Sequence, residues 1–70
     1  MAVSYDKLFH LLIDKRITNA QLADKAGISA NIITRIKKNE YISLESIEKI
    51  CQALECRADD ILEFTVTEND

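Results

Sequence analysis

The chain has 70 residues, 47% of them apolar, with no proline, one glycine and a formal net charge of −3. So short a chain has little room for a catalytic pocket beside its core, and one histidine and two cysteines cannot assemble a familiar zinc site. With no signal peptide and no apolar run near the roughly 20 residues of a membrane span, we predict a single cytoplasmic domain over residues 1–70. We expect it not to be an enzyme and to use no metal, cofactor, small-molecule ligand or membrane.

The charge is divided unevenly along the chain. Residues 1–39 carry seven basic and three acidic side chains, a net +4, whereas residues 40–70 carry two basic and nine acidic ones, a net −7. This asymmetry predicts a basic face for an anionic partner and an acidic half that turns away from it. An uneven but merely solvated surface is the alternative.

Helical spacing and capping signals predict the first two helices. Apolar residues recur every three to four positions from Tyr5 to Lys15, which indicates a first helix. Thr18, followed three residues later by Gln21, has the sequence of a capping box at the start of a second helix. Gly27 is free to adopt a left-handed conformation and is expected to end that helix.

Two serines predict the starts of the next helices. Ser29 caps a third helix that runs to about Lys38, and Ser43 caps a fourth that runs to about Glu55. The predicted buried face of the fourth helix consists of Leu44, Ile47, Ile50, Cys51 and Leu54, which makes Cys51 a core residue rather than a redox sensor.

The end of the chain predicts a short fifth helix and an extended tail. Arg57–Leu62 has room for one or two helical turns, and Phe64–Thr67 alternates apolar and polar residues as a strand does. The tail spans about residues 64–70, and its segment Phe64–Thr67 has no obvious strand partner in a helical domain. We therefore predict that this segment pairs with its symmetry mate in a homodimer joined through the C-terminal half. Packing of Phe64 and Val66 on their own core is the alternative. The predicted fold class is all-α, a compact five-helix domain with a short extended C-terminal tail.

The second and third predicted helices are joined only by Gly27–Ser29. So short a link suits a steep crossing of two helices, which makes residues 18–38 a helix-turn-helix. At about 100° per residue, the outward stripe of the third helix contains an amide, a hydroxyl and two cations: Asn31, Thr34, Arg35 and Lys38. Because no acidic residue occurs from Ser29 to Asn39, the stripe is suited to the base edges and phosphates of DNA.

These segments carry a family resemblance. The run ITNAQLADKAGISANIITRIKKNE and the later run SLESIEKICQALEC resemble the Cro and phage-repressor type of helix-turn-helix regulator, the Xre family. The resemblance implies the lambda-repressor-like five-helix fold. It also implies that the protein is a transcriptional regulator that acts as a repressor, and that the helix capped by Ser29 enters the major groove of double-stranded DNA. The implied DNA-binding residues are Asn19, Ser29, Ala30, Asn31, Thr34, Arg35, Lys37 and Lys38. The family often has a glycine-containing loop where Asn39 and Glu40 stand, so Asn39 is expected to adopt the left-handed conformation that asparagine tolerates.

Two positions depart from the pattern of this family. The family commonly has glutamine where Asn19 and Ala30 stand, and Ala30 offers a base only an apolar contact, such as one with a thymine methyl. The acidic half of the chain favours one alternative function. It is a protein-interaction module of the same fold, an antitoxin-like or anti-repressor partner, that does not bind DNA.

Overall fold

The computed structural model describes residues 2–66 and contains four α-helices and two short strands. The elements in chain order are β1 (Ala2–Ser4), α1 (Asp6–Lys15), α2 (Asn19–Ala26), α3 (Ala30–Lys37), α4 (Leu44–Leu54), a 3₁₀ turn (Ala58–Asp60) and β2 (Glu63–Thr65). The strands pair antiparallel, with Val3 opposite Phe64. The two ends of the described chain therefore meet at one edge of the helical body.

The prediction of an all-α five-helix domain is wrong in two respects. The predicted fifth helix is a single 3₁₀ turn, in which the amide of Ile61 donates to the carbonyl of Ala58 at 3.1 Å. The tail is not free of strand partners, because β2 pairs with β1 of its own chain. Three residues are too few to show a periodicity, and the partner strand is about sixty positions away, so the sequence gives no local signal for this sheet. Thr67, the last residue of the predicted strand, lies outside the described residues.

The predicted starts of α2, α3 and α4 are confirmed by their capping hydrogen bonds. At the start of α2, the amide of Gln21 donates to Thr18 Oγ1 at 3.1 Å and the amide of Thr18 donates to Gln21 Oε1 at 2.9 Å. The side chains of Ser29 and Ser43 likewise accept from backbone amides in the first turns of α3 and α4. Gly27 ends α2 with φ of 71°, in the left-handed region. These caps satisfy amides that the helix itself leaves unpaired.

The core lies between the helices and receives buried side chains from all four of them. Its fully buried members are Tyr5, Leu8, Leu22, Ile36, Ile50 and Ile61. Leu44 is an exception to the predicted face of α4, since 85% of its side chain is exposed. It is the first residue of α4, and a helical side chain leans toward the N-terminus, so it extends beyond the packed part of the helix.

The two cysteines are free and half-buried, and both pack against the core. Burial raises the pKa of the Cys51 thiol, and it raises the pKa of Cys56 to about 11. Both side chains are therefore protonated at neutral pH, where a thiol behaves as a small apolar group.

A pair of hydrogen bonds ties the start of α1 to the loop after α3. The amide of Tyr5 donates to Asn39 Oδ1 at 3.2 Å, and the Tyr5 hydroxyl donates to the carbonyl of Glu40 at 2.7 Å. Burial raises the pKa of Tyr5, which keeps the phenol protonated as a donor. Asn39 adopts a left-handed conformation, with φ of 55°, as the sequence predicts. This link fixes the direction in which the chain leaves α3.

Replacing Asn39 by alanine is expected to lower the free energy of unfolding by about 1–2 kcal/mol. Alanine lacks the acceptor for the amide of Tyr5 and is strained in the left-handed region. Asn39→Gly loses the same acceptor but tolerates the backbone conformation, so it is expected to cost less. Urea unfolding followed by circular dichroism compares the two variants, and equal losses would show that the backbone conformation of residue 39 is not a source of strain.

Candidate nucleic-acid interface

Helices α2 and α3 are joined by a tight turn of three residues. The amides of Gly27 and Ile28 both donate to the carbonyl of Ala23, at 2.9 and 3.0 Å, which closes the end of α2. Ser29 then caps α3. Ile28 is buried and Ala23, a small residue, is half-buried at the packing surface of α2. The turn therefore fixes α3 directly against α2, as in a helix-turn-helix.

One side of α3 is buried and the other is exposed, as its sequence predicts. Ile33 and Ile36 are 8% and 1% exposed, and Ile32 packs half-buried beside them. The exposed residues of the cap and helix are Ser29, Ala30, Asn31, Thr34, Arg35, Lys37 and Lys38. The structure thus brings seven of the eight predicted site residues onto one continuous exposed surface. The eighth, Asn19, is half-buried at the start of α2.

Two grooves of different character flank α3. On the side facing the start of α4, a groove of about 210 Å³, called the polar groove below, is lined by five polar residues, Ser29, Asn31, Arg35, Ser43 and Ser46, and by Ile32 and Ile42. On the side facing α2, a groove of about 250 Å³ is lined by Asn19, Lys37 and a group of small or apolar residues. Asn31 and Arg35 therefore lie on one flank of the helix, and Ala30 and Thr34 lie on the other.

Hydrogen bonds within the helix limit what two of the predicted residues can offer. Thr34 Oγ1 donates to the carbonyl of Ala30 at 3.1 Å, so its hydroxyl proton is already used by the helix backbone. Ser29 Oγ accepts from the amide of Ile32 at 3.3 Å. Both hydroxyls retain lone pairs, but Thr34 is not the free donor that its place in the outward stripe suggests.

Residues at the start of α4 are absent from the set predicted by sequence. Ser43 and Ser46 border the same groove as Asn31 and Arg35. Ser43 Oγ donates to Ser46 Oγ at 3.0 Å, and Ser46 is 6% exposed. The capping pattern identifies Ser43 as the start of a helix, but its position beside α3 depends on the path of the intervening loop.

Residues 2–66 contain neither a cluster of metal ligands nor a helix that could span a membrane. There, no three histidine, cysteine or acidic side chains lie together in a way that could hold a metal ion. Over the same residues, no helix is long and apolar enough to cross a membrane.

A short helix held across another by a three-residue turn, with an exposed basic face, defines the helix-turn-helix class of DNA-binding proteins. Residues 7–66 match the family of Cro/C1-type HTH DNA-binding domains, and the chain belongs to that family. This confirms the resemblance to Cro and phage-repressor regulators. The chain is therefore an HTH transcriptional regulator, a kind of protein that is not an enzyme.

Two known proteins are similar to this chain over most of its length. It is 33% identical over 61 residues to the uncharacterized HTH-type transcriptional regulator YozG of Bacillus subtilis (strain 168), an alignment that covers 84% of this chain and 73% of YozG. The crystal structure of the transcriptional regulator VanUg (form II) superposes with a TM-score of 0.85 at 39% identity, covering 89% of this chain and 83% of that one.

Proposed function

We propose that this protein is a cytoplasmic repressor that binds a specific double-stranded DNA sequence with α3 in the major groove. The observation that carries the proposal is the exposed face of α3, which displays an amide and three cations and has no acidic residue from Ser29 to Asn39. Such a face neutralises phosphates and offers hydrogen-bonding groups to base edges at once. A protein that is bound to an operator in this way represses transcription by occupying that site.

The side chains of α3 divide into two proposed roles. Asn31 and Arg35 border the polar groove and carry the two groups best suited to bidentate base contacts, an amide for adenine and a guanidinium for guanine. Lys37 and Lys38 lie at the exposed C-terminal end of α3 and act on phosphates. Asn19, in the first turn of α2, and Ser29, at the start of α3, contact the DNA backbone.

Selection of binding sites from a random duplex pool tests the proposed function. The full chain should enrich a defined sequence, and anisotropy titration of that site should give a dissociation constant of roughly 10 nM or tighter. Failure to enrich any sequence would contradict the proposal. It would favour the interaction module suggested by the acidic half of the chain.

Replacing Lys38 by alanine is expected to weaken binding to all DNA sequences and to lower the salt slope of log Kd by about one, because one phosphate contact is lost. Lys49→Ala is a matched control, since Lys49 lies on α4 and pairs with Glu45 at 3.3 Å. Titrations at several salt concentrations measure both slopes. An unchanged salt slope for Lys38→Ala, or an equal change in the Lys49→Ala control, would show that Lys38 does not contact DNA.

We further propose that the protein acts as a two-fold homodimer. A single helix-turn-helix reads few base pairs, and proteins of this class commonly place two recognition helices about 34 Å apart along the duplex. Because β2 pairs with β1, an unpaired tail is no argument for the dimer. What supports a C-terminal interface is the exposure of Phe64 and Val66, at 58% and 77%, next to the outer edge of β2.

Replacing Phe64 by lysine is expected to convert the dimer into a monomer, because a charge replaces the largest apolar side chain at the proposed interface. Ile13→Lys makes the same change at another exposed apolar residue, on α1, and should leave the dimer intact. Size exclusion with light scattering at tens of micromolar gives the mass of each variant. A monomeric wild type, or an unchanged mass for Phe64→Lys, would exclude this interface.

A further inference from the structure

The groove between α2 and α3, called the apolar groove below, is lined mainly by small or apolar side chains. Three alanines supply much of the wall: Ala20 and Ala23 from α2 and Ala30 from α3. Ile33, which is 8% exposed, forms part of the lining below them. These side chains carry no hydrogen-bonding atoms, so the only interaction they offer is apolar contact.

Thr34 adds to the apolar character of this groove. It lines the groove beside Ala30, and its hydroxyl proton is donated to the carbonyl of Ala30 within the helix. The side chain therefore has no donor left for a base, and what it adds to the lining is its methyl group and an oxygen acceptor. The two remaining lining residues, Asn19 and Lys37, are polar.

The chemistry of the major groove leaves one group that matches such walls. Base edges there present nitrogen and oxygen donors and acceptors together with C–H groups, and the 5-methyl group of thymine is the one apolar substituent that projects from them. The purines would bring polar atoms against the alanines, where no partner satisfies them, and cytosine, which carries only a hydrogen at C5, would leave the space for the methyl group empty. Lys37, the one cation among the lining residues, is the residue proposed above to contact a phosphate of the same DNA.

We propose that the groove formed by Ala20, Ala23, Ala30, Ile33 and Thr34 receives a thymine methyl group. The operator therefore contains a T·A pair at this position in each half-site. This inference rests on the proposed DNA-binding function and extends it to a specific base. Asn31 and Arg35, on the other flank of α3, read the adjacent base pairs through hydrogen bonds. Recognition is thus divided between an apolar flank and a polar flank of one helix.

Deoxyuridine substitution tests the inference, because deoxyuridine pairs as thymidine does and lacks only the methyl group. Each thymine of the site enriched from the random pool is replaced in turn, and the affinity of the full chain is measured by anisotropy. One thymine in each half-site should weaken binding about fourfold when replaced, the value of burying one methyl-sized group. In Thr34→Ser, which keeps the hydroxyl and loses the methyl, the same replacement should cost less than twofold. Ile13→Val, which removes one methyl group from an exposed side chain on α1, is the matched control and should retain the fourfold penalty.

The possible failures are distinguishable. If the site is bound tightly and no thymine responds to the loss of its methyl group, or if Thr34→Ser keeps the full penalty, the groove does not receive thymine and DNA binding itself stands. If no site is enriched, the proposed function fails and this inference fails with it. Circular dichroism of Thr34→Ser confirms that the variant is folded.

Discussion

Replacing Ile50 by alanine is expected to lower the free energy of unfolding by about 2–5 kcal/mol, the range for removing a buried isoleucine side chain to its Cβ. Ile50 is fully buried in the middle of α4. Domains of this size are stable by only about 5–10 kcal/mol, so the loss is a large share of the total. Urea unfolding followed by circular dichroism measures it.

Leu44→Ala is the matched control for Ile50→Ala. Leu44 lies on the same helix, has the same number of carbon atoms in its side chain, and is 85% exposed. Its replacement should change stability by no more than about 0.5 kcal/mol. A loss at Leu44 equal to that at Ile50 would contradict the packing of α4 and would restore the buried face predicted from the spacing of its apolar residues.

Replacing Asn31 by alanine is expected to cost about 1–3 kcal/mol of binding free energy per half-site on the selected operator, and much less on random DNA. The amide of Asn31 is exposed on α3 and borders the polar groove, a position suited to a bidentate contact with a base. Loss of a base contact removes discrimination, whereas loss of a phosphate contact weakens all sequences alike. Anisotropy titrations on the two DNAs distinguish these cases.

Gln52→Ala is the control for Asn31→Ala. Gln52 is an exposed amide on α4 and borders a groove with Lys15 and Lys25, away from α3. It should leave affinity for both DNAs unchanged. Equal losses on operator and random DNA for Asn31→Ala would show that Asn31 contacts the DNA backbone. Arg35 and the apolar groove would then be the parts of α3 that recognise the base sequence.

The net charge of the chain is a poor guide to its partner. At −3 overall the protein should be repelled by DNA, yet Arg35, Lys37 and Lys38 lie together on one exposed helix. Exposed charges farther apart than about 8 Å are largely screened at physiological salt. The local sign of the α3 surface therefore decides binding, and the acidic half reduces affinity mainly at low ionic strength.

Local interactions are the part of this structure that the sequence determines by itself. The capping box of Thr18 and Gln21, the left-handed Gly27, and the serine caps each depend on residues within four positions of one another. The inward face of α3 also follows from helical spacing alone. For this reason the helix-turn-helix and the exposed set on α3 are predictable from the order of the residues.

Tertiary structure decides the features that join distant residues. The β1–β2 sheet pairs positions about sixty residues apart through strands of three residues each, too short to carry a pattern. The approach of Ser43 and Ser46 to Asn31, and the apolar groove that Ala20 and Ala23 share with Ala30, depend on how the helices pack. Sequence periodicity fixes which face of a helix is apolar, but not which neighbour lies on either side of its exposed face. The two flanks of α3, and with them the proposed division of base recognition, follow only from the packed structure.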